Sequence, residues 1–439
     1  MQENKKITPV VIEENVMPIV GYWGPARFYS MMRNRVFDFI QDDIYEKIKD
    51  LGINLINRIG NDYANPEERQ AVLDSLAYAE KYGLYMFVSD HSMQGELSDE
   101  DVEYYLSKYN QFKSFRGIAV RDEPRTEYYA AQLGPEFMDK YMSVSKKLNQ
   151  HTDIMGYINL FAYGSGNGST EDYKRYVEEC IVSCGVKVVS YDYYPFFPGH
   201  DTKEFRQKYF AKMELVKEKA AEYHVPFWGF VQAGANWNDE WIEMEPTDNC
   251  MPTRGELLWN VNTYLAYGAK GIQYFPLIQP YHFAFEVDGR YDYGRNGLIG
   301  ADGQPTKWYD YAKDANRQIA LVDEVLLNSE NTDILAVGTA ACTDTTYTMK
   351  QYGDLKDIQV SNPEEGTVVG CFDYQGKQVF YVVNHDMAQQ QTIDLCFKRD
   401  VVCQVISQQC NQKEAKVTWN GNSYSLELVA GGAALVIIE

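Results

Sequence analysis

Two carboxylates stand side by side in Arg121-Asp122-Glu123-Pro124, directly after the apolar run FRGIAV. A third, Asp192, follows a second apolar run and is flanked by Tyr191, Tyr193 and Tyr194. Carboxyl groups held in different surroundings can divide acid and base roles between them, which suits bond cleavage by proton transfer. Other polar and aromatic residues end comparable runs: Trp23, Arg58, Asp90 with His91, Asn159, Gln232, Gln273 with Tyr274, and then Gln279, His282 and Glu286. Carboxylates, amides, cations and rings on one rim suit a sugar, whose hydroxyls take polar partners and whose C–H faces lie against flat rings. With 35 Tyr, 20 Phe and 7 Trp, the chain has rings to spare. We therefore expect Trp23, Arg58, Asp90, His91, Asp122, Asn159, Tyr194, Gln232, Tyr274 and His282 to bind substrate.

The elements that must position these residues follow from the pattern of apolar runs. Eight such runs alternate with helical patterns: Pro18–Trp23, Ile53–Ile59, Leu84–Ser89, Gly117–Arg121, Ile154–Leu160, Val186–Tyr191, Pro226–Val231 and Gly271–Phe275. Each is nearly continuous in hydrophobic residues, as strands buried on both faces must be. The helices between them are amphipathic. Pro66–Tyr82 carries Val72, Leu73, Leu76 and Ala79 on one stripe and is followed by Gly83, while Thr253–Ala269 opens with Thr253 and Glu256 at capping-box spacing. Eight β-α units predict a (β/α)8 barrel over residues 1–330, with its active rim at the C-terminal ends of the strands. An open doubly wound sheet would show a Gly-rich phosphate turn after its first strand, and GYWGPARFYS is no such turn.

Beyond Leu327 the texture changes. From 331 to 439 the runs Gly366–Tyr374, Gln378–Asn384, Thr392–Phe397, Val417–Trp419, Ser423–Leu428 and Ala433–Ile438 are separated by turn residues, and Asn420-Gly421 is a hairpin signal. This region is expected to be an all-β sandwich without a catalytic cluster.

Composition narrows the function. A formal charge of −22 repels polyanions, so nucleic acid is excluded as a partner. No apolar run approaches the roughly 18 residues of a membrane span. The opening MQENKKITPV has no apolar leader core; a leader removed beforehand, and hence a periplasmic or extracellular protein, is the expectation, with the cytoplasm left open. The 8 cysteines show no CxxC or Cys/His metal spacing, and Cys180 and Cys184 lie four apart on one predicted helix, where bridge geometry is rarely met. They read mostly as small buried hydrophobes. His91, His282 and Asp90 do not have the spacing of a zinc motif, so no metal and no cofactor is expected. The segment Tyr163–Thr170 is Gly-rich but lacks the lysine of a phosphate loop and reads as a rim loop.

The run FRGIAVRDEPRTE resembles the strand-four motif of the clan A glycoside hydrolases, in which an Asn-Glu-Pro supplies the catalytic acid/base. Glu123 occupies the Glu position, so the resemblance implies a glycosidase with Glu123 as general acid/base; Asp122 replaces the Asn. An ionised carboxylate accepts hydrogen bonds but donates none, and beside Glu123 it raises that residue's proton affinity. The stretch Arg295–Ile319 looks like the lead into the last barrel helix of the β-galactosidase-like group, through Gly297, Leu298, Asp302, Gly303, Pro305, Thr306 and Asn316, and Pro252–Phe275 is similar to its helix-seven to strand-eight segment. The pattern departs at strand seven, where the group carries its nucleophilic Glu and this chain has Gln232. Three possibilities remain open. Asp192, or less favourably Asp90 or Glu286, supplies the second carboxylate; or the enzyme inverts around a water; or the barrel only binds glycan. Asp192 is the first choice as Glu123's catalytic partner.

Overall fold

The computed structural model describes residues 12–29, 36–57, 66–90, 92–93, 95–129, 137–164, 168–196, 202–234, 252–279, 285–287, 290–292, 297–300, 302–341, 351–407, 415–418 and 423–439. All eight apolar runs form parallel strands: β1 (Ile19–Tyr22), β2 (Leu55–Asn57), β3 (Tyr85–Val88), β4 (Phe115–Asp122), β5 (Met155–Leu160), β6 (Val189–Tyr191), β7 (Phe227–Gln232) and β8 (Ile272–Phe275). Each pairs with the next, and β8 returns to β1, so the barrel closes. Side chains alternate across the strands. Val20, Tyr22, Leu55, Phe87, Met155, Tyr157, Val188, Trp228 and Phe230 fill the lumen. Ile19, Ile56, Met86, Ile118, Ile158, Val189, Val231 and Ile272 pack outward against the helices.

Those helices are α1 (Asp42–Asp50), α2 (Pro66–Lys81), α3 (Asp99–Leu106), α4 (Asp139–Leu148), α5 (Thr170–Ser183), α6 (Thr202–Glu222), α7 (Arg254–Ala266) and α8 (Lys307–Leu327). The capping box before α7 is made: Thr253 Oγ1 accepts from the Glu256 N–H at 3.2 Å, and Glu256 Oε2 accepts from the Thr253 N–H at 2.7 Å. Two short hairpins, Arg27–Tyr29 with Val36–Asp38 and Phe285–Val287 with Arg290–Asp292, are additions that the strand count does not foresee.

From Glu330 onward the chain forms two antiparallel sheets. The strands are β9 (Glu330–Val337), β10 (Leu355–Val360), β11 (Thr367–Tyr374), β12 (Lys377–Asn384), β13 (Gln391–Phe397), β14 (Val402–Ser407), β15 (Ala415–Thr418), β16 (Ser423–Leu428) and β17 (Ala433–Ile438). The larger sheet has the order β9-β11-β12-β17-β14-β15 and the smaller β10-β13-β16. Leu335, Val369, Phe380, Val382 and Val436 of the one meet Ile358, Ile393, Leu395 and Leu426 of the other in a separate core. Six of these strands match the expected runs. The other three, β9, β10 and β14, are additions to the expected runs. Asn420 and Gly421 lie outside the described residues.

The sandwich roofs α7. Tyr264 packs on one side against β7, where only a glycine fits: a Cβ on Gly229 would lie 2.2 Å from the ring. On the other side Trp259 Nε1 donates to His385 Nδ1 at 2.8 Å, and Asn262 accepts from the Tyr381 hydroxyl at 2.7 Å. Cys180, Cys184, Cys371 and Cys403 are buried, and Cys396 is half-buried; Cys250, Cys342 and Cys410 lie outside the described residues. Among the described residues no helix is long and apolar enough to cross a membrane.

Candidate active site

The site begins with an irregularity in β4. Ala119 pairs with Tyr157, but Arg121 pairs with Ile158 and Asp122 with Asn159, so Val120 is an extra residue bulged out of register. A bulge shifts side-chain parity by one. With regular pairing, Arg121 would follow Ala119 into the lumen and Asp122 would face the helices. The bulge reverses this. Arg121 turns outward, its guanidinium 5.9 Å from the Tyr141 ring of α4, and Asp122 turns inward. Glu123 then takes a left-handed backbone conformation, φ +49°, its N–H donating to the Asn159 carbonyl at 2.8 Å. Such a conformation is strained for a residue with a side chain and clusters at functional sites.

Asp192, just beyond the end of β6, meets Glu123 side chain to side chain, and its carboxylate also accepts from Tyr194. One of its oxygens, Oδ1, is buried without a hydrogen-bond partner. Asp122 accepts from the Tyr22 hydroxyl and, at 3.1 Å, from Asn159 Nδ2. Three carboxyl groups thus crowd one end of the lumen, and they do not titrate alike. Burial, then the charges of Asp192 and Asp122, push the Glu123 carboxyl far above the usual range. Burial and the Asp122 charge raise Asp192 by less. Burial raises Asp122, opposed by its hydrogen bonds from Tyr22 and Asn159 and by the charge of Arg121. Near neutral pH Glu123 therefore holds a proton, and Asp192 is the carboxyl readier to ionise.

Aromatic rings wall this end of the barrel. Tyr22 meets Phe230 edge to face at 4.8 Å, Tyr194 lies 5.5 Å from Phe275, and Trp23, with φ +68°, lies 6.3 Å from Phe275. Burial holds the Tyr22, Tyr157 and Tyr194 phenols well above their usual pKa, so they act as neutral hydrogen-bonding groups.

The structure gathers Asp122, Glu123, Asp192, Asn159 and Tyr194, with Trp23 against their aromatic wall, and sends other expected ligands elsewhere. Gln232 is buried and spends its amide on a loop: its Oε1 accepts from the Phe196 N–H at 3.0 Å, and its Nε2 donates to the carbonyls of Phe196 at 3.0 Å and Gly234 at 3.2 Å. It braces the turn that follows Asp192. Tyr274 faces outward, donating to Asn316 of α8 at 2.8 Å, because its neighbours Gln273 and Phe275 take the lumen positions. Asp90 is buried and accepts from the Tyr109 hydroxyl at 2.6 Å and the Ser92 N–H at 2.9 Å. Arg58, His91 and His282 lie outside the described residues, as does the side chain of Glu286. Among the described residues, no group of three or more His, Cys, Asp or Glu is arranged to hold a metal ion.

Four further polar lumen residues join the expected set. Tyr22 and Asn57 are the last residues of β1 and β2, while Tyr157 and Ser190 lie two positions before Asn159 and Asp192, on the same face by alternation. Asn57, paired with Tyr22, is fully buried with neither amide atom hydrogen-bonded. Its parity with Leu55 directs it into the lumen.

No protein-family model matches the chain, and no curated protein matches it. Among solved structures it is similar to a β-galactosidase from Bacillus circulans sp. alkalophilus, at 9% identity over 98% of this chain and 100% of that one, with a TM-score of 0.58. It also matches α-galactosidase I from Mortierella vinacea, at 11% identity over 100% and 98% of the two chains, with a TM-score of 0.47. Both neighbours are glycoside hydrolases, and the likeness to the β-galactosidase is one of fold.

Proposed function

We propose that this chain is a retaining glycoside hydrolase in which Glu123 is the general acid/base and Asp192 the nucleophile. One observation carries the reading: two carboxyl groups in side-chain contact at the active rim of the barrel, with proton affinities driven apart. Inverting enzymes keep their carboxyls about 6.5–9.5 Å apart to admit a water, whereas retaining enzymes hold them about 5–5.5 Å apart. Groups close enough to hydrogen-bond belong with the second kind. The aromatic wall suits sugar C–H faces, and the fold is one that glycosidases use.

Glu123 gives its proton to the glycosidic oxygen as the C–O bond breaks. The Asp192 carboxylate bonds to the anomeric carbon, and the alcohol leaves. Glu123, now a carboxylate, takes a proton from a water whose oxygen attacks that carbon, and Asp192 departs as a carboxylate. In the resting state protonated Glu123 donates to Asp192; an arriving glycosidic oxygen replaces Asp192 as the acceptor.

A panel of aryl glycosides with good and poor leaving groups tests the assignment. Glu123→Gln should lower kcat/KM by about 10²–10⁴ for poor leaving groups and far less for good ones. Asp192→Ala should lose activity on both, and azide should restore turnover with a glycosyl azide of inverted configuration. Wild-type activity in Asp192→Ala would refute the nucleophile. Oligosaccharide binding with no turnover of any glycoside would point instead to a barrel that only holds glycan.

A further inference from the structure

A second set of lumen residues bears on the same site, and its role rests on the glycosidase reading only in the naming of Glu123 as the acid. Gln273 of β8, Tyr157 and Asn159 of β5 and Ser190 of β6 are all buried at 2% exposure or less. Their hydrogen bonds join them into one network, in which the Tyr157 and Ser190 hydroxyls also meet at 2.7 Å. Tyr157 donates to Gln273 Oε1 at 2.7 Å, which fixes the Gln273 amide so that its Nε2 donates to Ser190 Oγ at 2.8 Å. Ser190 in turn donates to Asn159 Oδ1 at 2.9 Å, and Asn159 Nδ2 donates to Asp122 Oδ1 at 3.1 Å. With Asp122 ionised, turning the Asn159 amide would set its oxygen against a carboxylate.

The chain of donors ends on a carboxylate. A neutral Asp122 would need an acceptor for its own proton, yet Asn159 offers it N–H and Tyr22 already donates to it. Ionised, Asp122 satisfies both. Its charge acts on both members of the reacting pair.

We propose that Gln273, Ser190 and Asn159 are positioning residues that hold Asp122 as a fixed, non-reacting carboxylate, and that this charge keeps the catalytic proton on Glu123. The relay reaches from β8 to β4 across the polar layer of the lumen. The groups facing the three carboxyls are Tyr22 from β1, Arg121 from β4, Tyr157 from β5, Tyr194 beyond β6, Tyr173 and Tyr176 from α5, and Tyr264 from α7. The phenols are all held neutral by burial, and Arg121 faces the helices, so among these described groups Asp122 and Asp192 are the charges that act on Glu123.

Infrared difference spectra of the full chain, with pH titration of the protonated carboxyl band and Glu123 identified by its loss in Glu123→Gln, test this without any substrate. Gln273→Leu and Ser190→Ala should each lower the Glu123 midpoint, because a relay that no longer stabilises the Asp122 anion lets Asp122 take a proton and lose its charge. The expected fall is at least about tenfold in proton affinity. An unchanged midpoint in folded variants would overturn the relay. Should both variants fail to fold, Asp122→Asn decides: it keeps the shape, removes the charge and must lower the midpoint in the same way, and no shift there defeats the proposal. A shifted midpoint in a protein that cleaves no glycoside would leave the relay standing and remove the glycosidase reading.

Discussion

A carboxyl group that binds its proton more tightly in the folded chain than in the unfolded one makes stability fall as pH rises, since the folded state then carries more protons. Glu123 is such a group, raised by burial and by the charges of Asp192 and Asp122. Below the ordinary Glu range both states are protonated, and the effect vanishes. Above it the unfolded chain ionises while Glu123 resists, and the folded state loses ground until Glu123 itself titrates. Glu123→Gln should therefore match wild type in Tm near pH 4 and exceed it by about 2–5 °C at pH 8, measured by calorimetry across that range. A Tm difference that does not grow with pH would show that Glu123 holds no elevated proton affinity. The pair Glu123 and Asp192 is legible in the sequence because each carboxylate follows a run that reads as a buried strand. The roles of Tyr274 and Gln232 are not. Position at a strand end puts Tyr274 on the rim, but alternation places Gln273 inward and Tyr274 against Asn316. Gln232 does point toward the right end of the barrel, but its amide closes on the backbone of Phe196, a partner that no local pattern announces. Asn57 carries a signal in its parity: two residues after Leu55, it has to face the lumen. If its orphaned amide meets a sugar hydroxyl, Asn57→Ala should raise KM or lower kcat/KM by about tenfold with little change in Tm, the cost of one hydrogen bond to a bound group; a large loss of Tm with unaltered kinetics would make Asn57 a core residue instead.

At the scale of the element, β4 does the positioning, and it does so through two breaks in regular pairing. One lies between Met86/Phe115 and Phe87/Gly117, the other at Val120. The first depends on Gly117, which adopts φ +146° and lies so close to β5 that an added Cβ would sit 2.0 Å from the Met155 carbonyl oxygen. Gly376, in the β11–β12 turn, also has a positive φ, +83°, but nothing within 4 Å of the same added atom. Comparing the two separates backbone strain from close approach. Gly376→Ala should cost about 1 kcal/mol, the strain alone. Gly117→Ala should cost about 3 kcal/mol or more, because β4 must also move off β5, and activity should fall with it, since Asp122 and Asn159 sit on those two strands. Urea unfolding of both variants measures the gap; equal costs would mean that β4 and β5 can part freely at Gly117. The run Gly117–Arg121 is legible as a strand because of its apolar content, and the structure extends it at both ends to the eight residues Phe115–Asp122. The two breaks in its register are not legible, because a bulge leaves composition unchanged and alters only which neighbour each residue faces. The consequence is that alternation counted from Ala119 puts Arg121 in the lumen, the reverse of what is found.

Across the whole molecule, the barrel and the sandwich meet over α7, a helix whose residues are almost all buried. A helix apolar on every side needs cover on every side, and its sequence, RGELLWNVNTYLA, carries that signal without saying what supplies the cover. The sandwich does: Asn262 donates to the Gly431 carbonyl at 2.9 Å, Gln318 of α8 to the Ala433 carbonyl at 3.0 Å, and Arg206 of α6 pairs with Glu365 at 2.6 Å. At the centre His385 is fully buried, accepting from Trp259 at Nδ1 and facing the Ala340 carbonyl through Nε2 at 3.1 Å. Those partners fix the neutral tautomer with its proton on Nε2; a second proton, on Nδ1, would point at the Trp259 N–H. Burial, followed by the Arg206 charge, holds its pKa well below the usual value. The sign is opposite to that at Glu123. Here the unfolded chain binds the extra proton, so the contribution is complete above the ordinary His range near pH 6.5 and is lost as pH falls below it. The molecule is thus weakened from the alkaline side by the carboxyls at the rim of its barrel and from the acid side by the joint between its two parts. His385→Gln keeps one acceptor and one donor without a titratable ring, so it should lower Tm at pH 7.5 through poorer packing, with the deficit shrinking as pH falls to 5. Calorimetry of both proteins at the two pH values reads this directly. A deficit that stays constant would mean that the joint takes no part in the acid response, and two separate transitions in wild type would mean that the barrel does not depend on the sandwich to cover α7.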